Sequence, residues 1–257
     1  MFVPILTYHM VQPRFDLGIT HVTPKRFEQQ IKYLFDSGYK TISLNDYIDQ
    51  NYDNNNKTII ITFDDAYSSV YEYAFPILKK YNFIATIFVI TSYVGNWNIW
   101  DYNFLRCKFL HCTWEQLRNL ISAGWEIGSH TATHRNLKAL SDSEIWHEVN
   151  NSKGLIENQI QRNINIISYP FGKYNQRILE FVKEAGYEGG CTLGQNYPEN
   201  QEFPYALFRR GVYSLEPFSL FKAKLENNIW SHYDDIKQKL IAFCSQGSIL
   251  IRYIKTV

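Results

Sequence analysis

The feature that most restricts the fold of this chain is an alternation of short apolar segments with longer amphipathic ones. The apolar segments have the length of β-strands, and the stretches between them repeat apolar residues at helical spacing. This order is typical of parallel βα units rather than hairpins, and it predicts an α/β fold. We predict strands at residues 2–8, 40–42, 58–63, 83–90, 125–128, 165–169, 187–191 and 248–254.

Capping residues mark the starts of the predicted helices. Two are Thr/Ser-x-x-Gln/Glu boxes that begin at Thr113 and Ser141, and a third start is Thr23 before Pro24. With seven or eight βα units, we expect the sheet to curl into a distorted (β/α)7-8 barrel, whose functional groups lie at the C-terminal ends of the strands. We assign residues 1–257 to a single domain, because this length is short for two.

The composition excludes some partners. Lys and Arg total 26 against 25 Asp and Glu, and this net charge of +1 gives no broad attraction for nucleic acid or an anionic membrane. No apolar run approaches the roughly 20 residues of a membrane helix, so we expect no integral membrane segment. The N-terminus lacks signal-peptide features and the four cysteines lack CxxC spacing, which favours a cytoplasmic location with reduced thiols. A chain trimmed of its signal peptide would look the same.

Two adjacent carboxylates, Asp64 and Asp65, end the apolar run in the segment TIIITFDDAY. On a regular strand their side chains would point to opposite faces, so they can serve one site only where the chain has just left the strand. An adjacent Asp pair by itself is more often a helix cap or an Asx turn, here before the helix that follows Ser68. The pair gains functional meaning only with a second element.

The second element is the segment GSHTATH, in which His130 and His134 follow another short strand. Imidazoles at this spacing can share one face and one ion, although an isolated HxxxH is more often a solvated turn. Two imidazoles and one carboxylate form the ligand set of catalytic zinc sites, which keep a position open for water. We therefore predict a divalent metal cofactor, with Zn²⁺ as the default ion, and a second carboxylate that is free to act as a base.

Three segments resemble the successive motifs of the NodB-like polysaccharide deacetylases, carbohydrate esterase family four: TFDDAY, EIGSHTATHRNL and ISYPFGKYN. The resemblance covers roughly residues 3–195. It implies a distorted (β/α) barrel and a carbohydrate substrate, with Asp64 as general base. It also implies a metal site formed by Asp65, His130 and His134.

The third motif supplies further residues by resemblance. In the family, the backbone N–H of the residue after the motif proline binds the oxyanion, and here that residue is Phe171 after Pro170. Family members have Tyr at this position, but a backbone donor survives the change to Phe. We also assign Tyr169 and Pro170 to substrate binding.

Two departures from the family pattern concern the base and the acid. Many members have an Arg two residues before the motif proline, where this chain has Ser168. Arg209 or Arg210 could orient the base instead, unless they form surface salt bridges, and we assign this role to Arg210. The family's general-acid His is replaced by Tyr253 in the late apolar strand, so we propose His9, at the end of the first strand, as the acid. A purely structural role for His9 is the alternative. The remaining histidines receive no role: His21, His111, His147 and His232.

Aromatic residues crowd the loop after residue 91, and sugar rings pack against such side chains. We assign Trp97 and Trp100 to substrate binding, although core packing is the commoner role of any single aromatic. The leading function is hydrolysis of the acetamido group of an amino sugar. Deformylation or cyclic amide hydrolysis on the same fold is a second hypothesis, and a carbohydrate-binding protein without catalysis is a third.

Overall fold

A computed structural model of the chain describes residues 3–13, 20–53, 56–98, 108–193, 203–214 and 216–226. The strands are β1 (Ile5–Tyr8), β2 (Met10–Val11), β3 (His21–Val22), β4 (Tyr39–Thr41), β5 (Lys57–Phe63), β6 (Thr86–Val89), β7 (Glu126–Ser129), β8 (Ile166–Ser168), β9 (Gly189–Leu193) and β10 (Leu207–Gly211). The α-helices are α1 (Pro24–Asp36), α2 (Leu44–Ile48), α3 (Phe75–Lys80), α4 (Trp114–Ser122), α5 (Asp142–Trp146), α6 (Ser152–Ile160), α7 (Gln176–Glu184) and α8 (Phe218–Ala223).

Seven parallel strands form a closed barrel, as the sequence predicts. The ring runs β1, β5, β6, β7, β8, β9 and β10, and it closes because β1 pairs with both β5 and β10. The strand β4 pairs with the beginning of β5 outside the ring, while β2 and β3 form a separate pair. Within the described ranges, every helix is too short or too polar to cross a bilayer.

The seventh barrel strand is a correction to the sequence-based assignment. It is β10, which we did not predict as a strand, because two arginines interrupt its apolar pattern. The strand predicted at 248–254 lies outside the described residues. The single domain of residues 1–257 therefore stays a prediction, since the structure describes the chain only as far as residue 226.

The barrel interior is built in layers, because alternate residues of each strand point inward. The lower layer is an apolar cluster that includes one residue from each of six strands: Ile5, Ile60, Phe88, Ile166, Cys191 and Leu207. Two residues further along the strands, the interior becomes polar, and Thr7 and Thr62 join their hydroxyls at 3.0 Å. One more step of two residues reaches the strand ends, where His9 and Asp64 lie. The polar site therefore lies directly above a close-packed apolar layer.

The helices cover the outside of the barrel with their apolar faces, and their starts follow the predicted caps. The side chain of Thr23 accepts a hydrogen bond at the start of α1, and Thr113 forms a capping box with Gln116 at α4. The Ser141 N–H donates to Glu144 at the start of α5. Longer helical regions also contain π-helical turns at Val70–Ala74 and His147–Asn151.

Replacement of Gly128 in β7 should destabilise the barrel. An added Cβ would lie 2.5 Å from the Phe88 ring and 3.0 Å from the Ile166 carbonyl oxygen, inside the close-packed interior. We expect Gly128→Ala to lower the free energy of unfolding by roughly 1–3 kcal/mol, measured by urea denaturation. Gly154→Ala in α6 is the control, since the described residues leave open space around its Cβ, and alanine there should be neutral or stabilising. Equal losses in both variants would contradict this account of the interior.

Candidate functional site

The predicted metal ligands meet at the C-terminal ends of β5 and β7. The Oδ1 atom of Asp65 lies 3.5 Å from Nε2 of His130 and 3.8 Å from Nε2 of His134. One ligand atom from each residue lies within 4.8 Å of the others, and all three side chains are buried. A carboxylate and a pair of histidines from two distant segments of the sequence therefore present converging donor atoms.

Each ligand is held by its surroundings. Nδ1 of His130 donates to the Ser168 carbonyl at 2.7 Å, which leaves Nε2 available to an ion. The backbone at Asp65 and His134 has positive φ, 68° and 57°, a conformation that non-glycine residues rarely adopt. Such backbone persists only where neighbouring contacts impose it, and it is concentrated at functional sites. The left-handed turn at Asp65 is what lets two consecutive carboxylates serve one site.

The protonation states suit a metal ion. Burial lowers the pKa of His130, and burial together with the neighbouring His130 lowers the pKa of His134 well below its usual value. Both imidazoles are therefore neutral at neutral pH, which is the form that binds metals. Two neutral imidazole nitrogens and one carboxylate oxygen match the donor set of catalytic zinc centres.

The second carboxylate, Asp64, forms a buried ion pair with Arg209. The guanidinium donates from two nitrogens to the two carboxylate oxygens, both at 2.8 Å, and Arg209 is fully buried. Further hydrogen bonds join Arg209 to the Ser168 hydroxyl at 2.8 Å and the Thr62 hydroxyl at 3.1 Å. Burial alone would raise the pKa of Asp64, but Arg209, with His130, holds it well below its usual range. Asp64 is therefore ionised, oriented and adjacent to the metal ligands.

His9 lies beside this ion pair. It directly follows β1, which pairs with β5 at Tyr8 and Phe63, so His9 is placed next to Asp64. Its side chain is half-buried, and the loss of hydration lowers its pKa to about 4. The negative charge of Asp64 opposes this decrease, and the positive charge of Arg209 adds to it. His9 is therefore neutral at neutral pH.

Comparison with known proteins gives the family of the chain. The sequence profile described as polysaccharide deacetylase matches residues 51–190. The Bacillus subtilis (strain 168) protein YxkH, whose name assigns it provisionally to the polysaccharide deacetylases, is 33% identical over 228 residues, which cover 88% of this chain and 76% of YxkH. The chain belongs to the polysaccharide deacetylase family.

Two further similarities are to proteins named as deacetylases. The poly-beta-1,6-N-acetyl-D-glucosamine N-deacetylase of Staphylococcus aureus (strain MRSA252) is 30% identical over 185 residues, 67% of this chain and 61% of that protein. The Streptococcus pyogenes deacetylase PplD, solved in complex with acetate, has a TM-score of 0.75 at 26% identity, and the match covers 88% of this chain and 98% of PplD. The chain thus shares its fold with a deacetylase of known structure.

The arginine that pairs with Asp64 is Arg209, and the assignment to Arg210 is corrected. Consecutive residues of β10 point to opposite faces, so only Arg209 enters the barrel. Arg210 instead donates to the carbonyl oxygens of Lys224 and Glu226 at 2.7 and 2.8 Å. It supports the turn that follows α8 and lies away from Asp64.

The predicted substrate-binding residues divide into two groups. Tyr169 is 1% exposed and its hydroxyl donates to the Tyr205 carbonyl, and Pro170 is also buried, so both support the motif turn and offer no surface to a sugar. These two assignments are corrected. Trp97 is 52% exposed and stays a candidate, whereas Trp100 lies outside the described residues. Phe171 has φ 60°, and its ring centroid lies 4.8 Å from that of His134.

His111 is a site residue that the sequence did not reveal. Its Nδ1 donates to the Asp65 carbonyl at 2.6 Å, and its ring stacks on Tyr67 with 4.7 Å between centroids. It thereby supports the left-handed backbone of Asp65 from a distant segment. His111 lies in no recognisable motif. The one signal in the sequence is that it closely precedes Thr113, the cap of α4.

Removal of Arg209 should destabilise the protein in a pH-dependent way. Arg209→Met leaves Asp64 buried without its cation, which costs roughly 3–5 kcal/mol at neutral pH. In the wild type the depressed pKa of Asp64 contributes stability that is present above about pH 4 and lost as the pH falls further. In the variant, burial raises that pKa, so the stability loss should shrink towards pH 3. Urea denaturation across this range measures the loss.

The Asp64→Asn background provides the control for this experiment. There the same arginine substitution should produce a smaller loss with most of the pH dependence removed. A loss that is independent of pH in the wild-type background would show that Arg209 does not control the Asp64 carboxyl.

Proposed function

We propose that this chain is a metal-dependent N-deacetylase that hydrolyses the acetamido group of an amino sugar in a glycan or glycan precursor. One observation carries the proposal: a buried Asp65, His130, His134 donor set lies next to a second carboxylate that a buried arginine holds ionised. Metal-assisted amide hydrolysis uses a base beside an electrophilic ion. A protein that only binds carbohydrate has no use for that base, so this arrangement disfavours the binding-protein hypothesis.

Asp65, His130 and His134 would hold the divalent ion. Zn²⁺ is the default for a set of two nitrogens and one oxygen, and Co²⁺, Ni²⁺ and Fe²⁺ accept the same ligands. When bound, the ion polarises the amide carbonyl and lowers the pKa of water.

Asp64 would accept the proton of the attacking water. The two hydrogen bonds from Arg209 fix the carboxylate plane, and the remaining lone pairs of its oxygens stay available for the water. Because its pKa is low, Asp64 is a weak base and can deprotonate only a water that is itself acidified. The arginine therefore contributes orientation and a constant charge state, at the expense of basicity.

His9 and Phe171 complete the proposed set. The backbone N–H of Phe171 would bind the developing oxyanion. His9 would protonate the leaving amine, and its position beside Asp64 supports this role. Since the lowered pKa makes His9 neutral at rest, it must first receive a proton, and the proton taken from the water is the nearest source.

The substrate proposal rests on the relatives and on one exposed ring. A relative named for poly-beta-1,6-N-acetyl-D-glucosamine is 30% identical, which supports an N-acetylglucosamine glycan. Trp97 offers an exposed aromatic surface near the segment that carries His111, because its backbone bridges to Leu110. A cytoplasmic location, which stays a prediction, would favour a nucleotide-linked or lipid-linked sugar over an extracellular polymer.

Acetate release from N-acetylglucosamine oligomers should depend on both the ion and the base. Protein stripped by a chelator should be inactive and should recover when Zn²⁺ or Co²⁺ is added. Asp64→Asn should retain the ion but lose about 10²–10⁴-fold in kcat, because an amide cannot accept the water proton. His130→Ala should lose the ion in elemental analysis. Activity of Asp64→Asn within a few-fold of wild type would exclude Asp64 as the base, and full metal stoichiometry in His130→Ala would exclude the site.

The same assay distinguishes the substrates. Oligomers with β-1,6 and β-1,4 links, a nucleotide-linked sugar, and formyl and cyclic amides form the comparison panel. Turnover of the formyl or cyclic amides in preference to the acetamido sugars would replace deacetylation by the alternative reaction.

His9→Ala should separate amide from ester hydrolysis. An amine must be protonated before it leaves, whereas an aryl ester releases a stable anion without an acid. We expect the substitution to impair deacetylation of the sugar far more than hydrolysis of an activated acetate ester, measured as kcat/KM on both substrates. Equal losses would indicate a structural or metal-supporting histidine, and unchanged activity on both would remove His9 from the mechanism.

A further inference from the structure

Glu148 is a buried carboxylate that holds the loop between the two histidine ligands. It lies in the π-helical turn His147–Asn151 and is 2% exposed. Its carboxylate accepts hydrogen bonds from the Thr133 N–H at 2.8 Å and from the Thr133 hydroxyl, and its backbone oxygen accepts from the Ala132 N–H at 3.1 Å. Three hydrogen bonds therefore join one residue to the short segment between His130 and His134.

That segment has a backbone that needs external support. Thr131 and His134 both have positive φ, 67° and 57°, and left-handed backbone at non-glycine residues is unfavourable. Internal hydrogen bonds provide part of the support: Thr131 N–H donates to the Ser129 hydroxyl at 3.1 Å, and His134 N–H donates to the Thr131 hydroxyl at 3.2 Å. The residues at the centre of the loop are held by Glu148.

Burial of the Glu148 carboxylate is energetically unfavourable, and packing of the helix alone does not require a carboxylate there. A buried carboxylate loses its hydration and is normally paired with a cation. Among the residues that the structure describes, no lysine or arginine lies within ion-pair distance of Glu148. An apolar residue would fill the same interior position without this penalty. The hydrogen bonds to Thr133 are the compensating interaction, and they act on the ligand loop.

We propose that Glu148 is a positioning residue for the metal site: it fixes the His130–His134 loop in the left-handed conformation that directs both Nε2 atoms at one ion. The inference rests on the proposed function, since it assumes that the site binds a metal. Outer partners of metal ligands typically change metal affinity about 10–100-fold when they are replaced. We expect a loss of this size in a variant that cannot accept hydrogen bonds.

The chain offers a matched control in Glu126. This residue is also a carboxylate on the barrel and is partly buried. It accepts hydrogen bonds from the Leu44 and Asn45 N–H groups at 3.0 and 3.1 Å and from the Thr86 hydroxyl at 2.6 Å. It begins β7, whereas His130 follows the end of that strand, so it supports α2 at the opposite end of the barrel. Its loss should reduce stability without reaching the metal ligands.

The experiment compares Glu148→Leu, Glu148→Gln, Thr133→Val and Glu126→Leu in the full chain. The dissociation constant for Zn²⁺ is measured by competition with a chromophoric chelator, the Co²⁺ visible spectrum reports ligand geometry, and urea denaturation in chelator reports the stability of the metal-free protein. Glu148→Leu should weaken Zn²⁺ binding about 10–100-fold and alter the Co²⁺ spectrum. Glu148→Gln keeps an acceptor oxygen and should restore most of the affinity, and Thr133→Val should be intermediate. Glu126→Leu should lose stability with unchanged affinity and spectrum.

The outcomes separate the two proposals. Wild-type protein that binds no Zn²⁺ would overturn the proposed metal site itself. Wild-type protein that binds Zn²⁺, with a Glu148→Leu variant that binds it as tightly as Glu126→Leu does, would overturn the positioning role alone. If Glu148→Leu does not fold, Thr133→Val decides, because wild-type affinity and spectrum in that variant would contradict an action of Glu148 through Thr133.

Discussion

The pairing of β1 with both β5 and β10 is the constraint on which the site depends. These contacts close the ring, and they bring the end of β5, with Asp64, within reach of Arg209 on β10. In an open sheet of the same strands, β10 and β5 would be separated and the aspartate would have no cation. The strand β1, which has only four residues, therefore completes the surroundings of Asp64 and Arg209, which are 145 positions apart in the sequence.

The interior of the barrel provides the surroundings that the pair of Asp64 and Arg209 needs. Its apolar layer excludes water from below, and the polar layer of Thr7, Thr62 and Ser168 provides hydrogen-bond partners at the level of Arg209. An ion pair without such partners would be unfavourable to bury. The hydroxyls therefore help to stabilise the buried charges of Arg209 and Asp64. The position that carries Arg in many family members carries Ser168 here, and its hydroxyl accepts a hydrogen bond from the arginine that occupies the site from β10.

Sequence reasoning predicted the parts of the molecule that local pattern determines. Apolar strands, capping boxes and the spacing of His130 and His134 are local signals, and they predict the barrel and the histidine pair. The choice of Asp65 as the third ligand came from the resemblance to the family. The choice between Arg209 and Arg210 was different, because both faces of β10 begin with an apolar residue, Leu207 or Phe208, and the pattern does not show which face is interior. Tyr169 was likewise ambiguous, since a motif aromatic can line a cleft or pack beneath it. Long-range contacts settle such choices, and they are absent from a single sequence.

The support of the two adjacent carboxylates is divided between different parts of the fold. The Asp64 N–H donates to the Tyr8 carbonyl within the barrel ladder, while the Asp65 carbonyl is held by His111, which reaches it from the segment before α4. One peptide unit thus separates a residue anchored in the scaffold from one anchored in a peripheral loop. During evolution, substitutions in that periphery can therefore move Asp65 while the barrel ladder keeps the backbone of Asp64 in place.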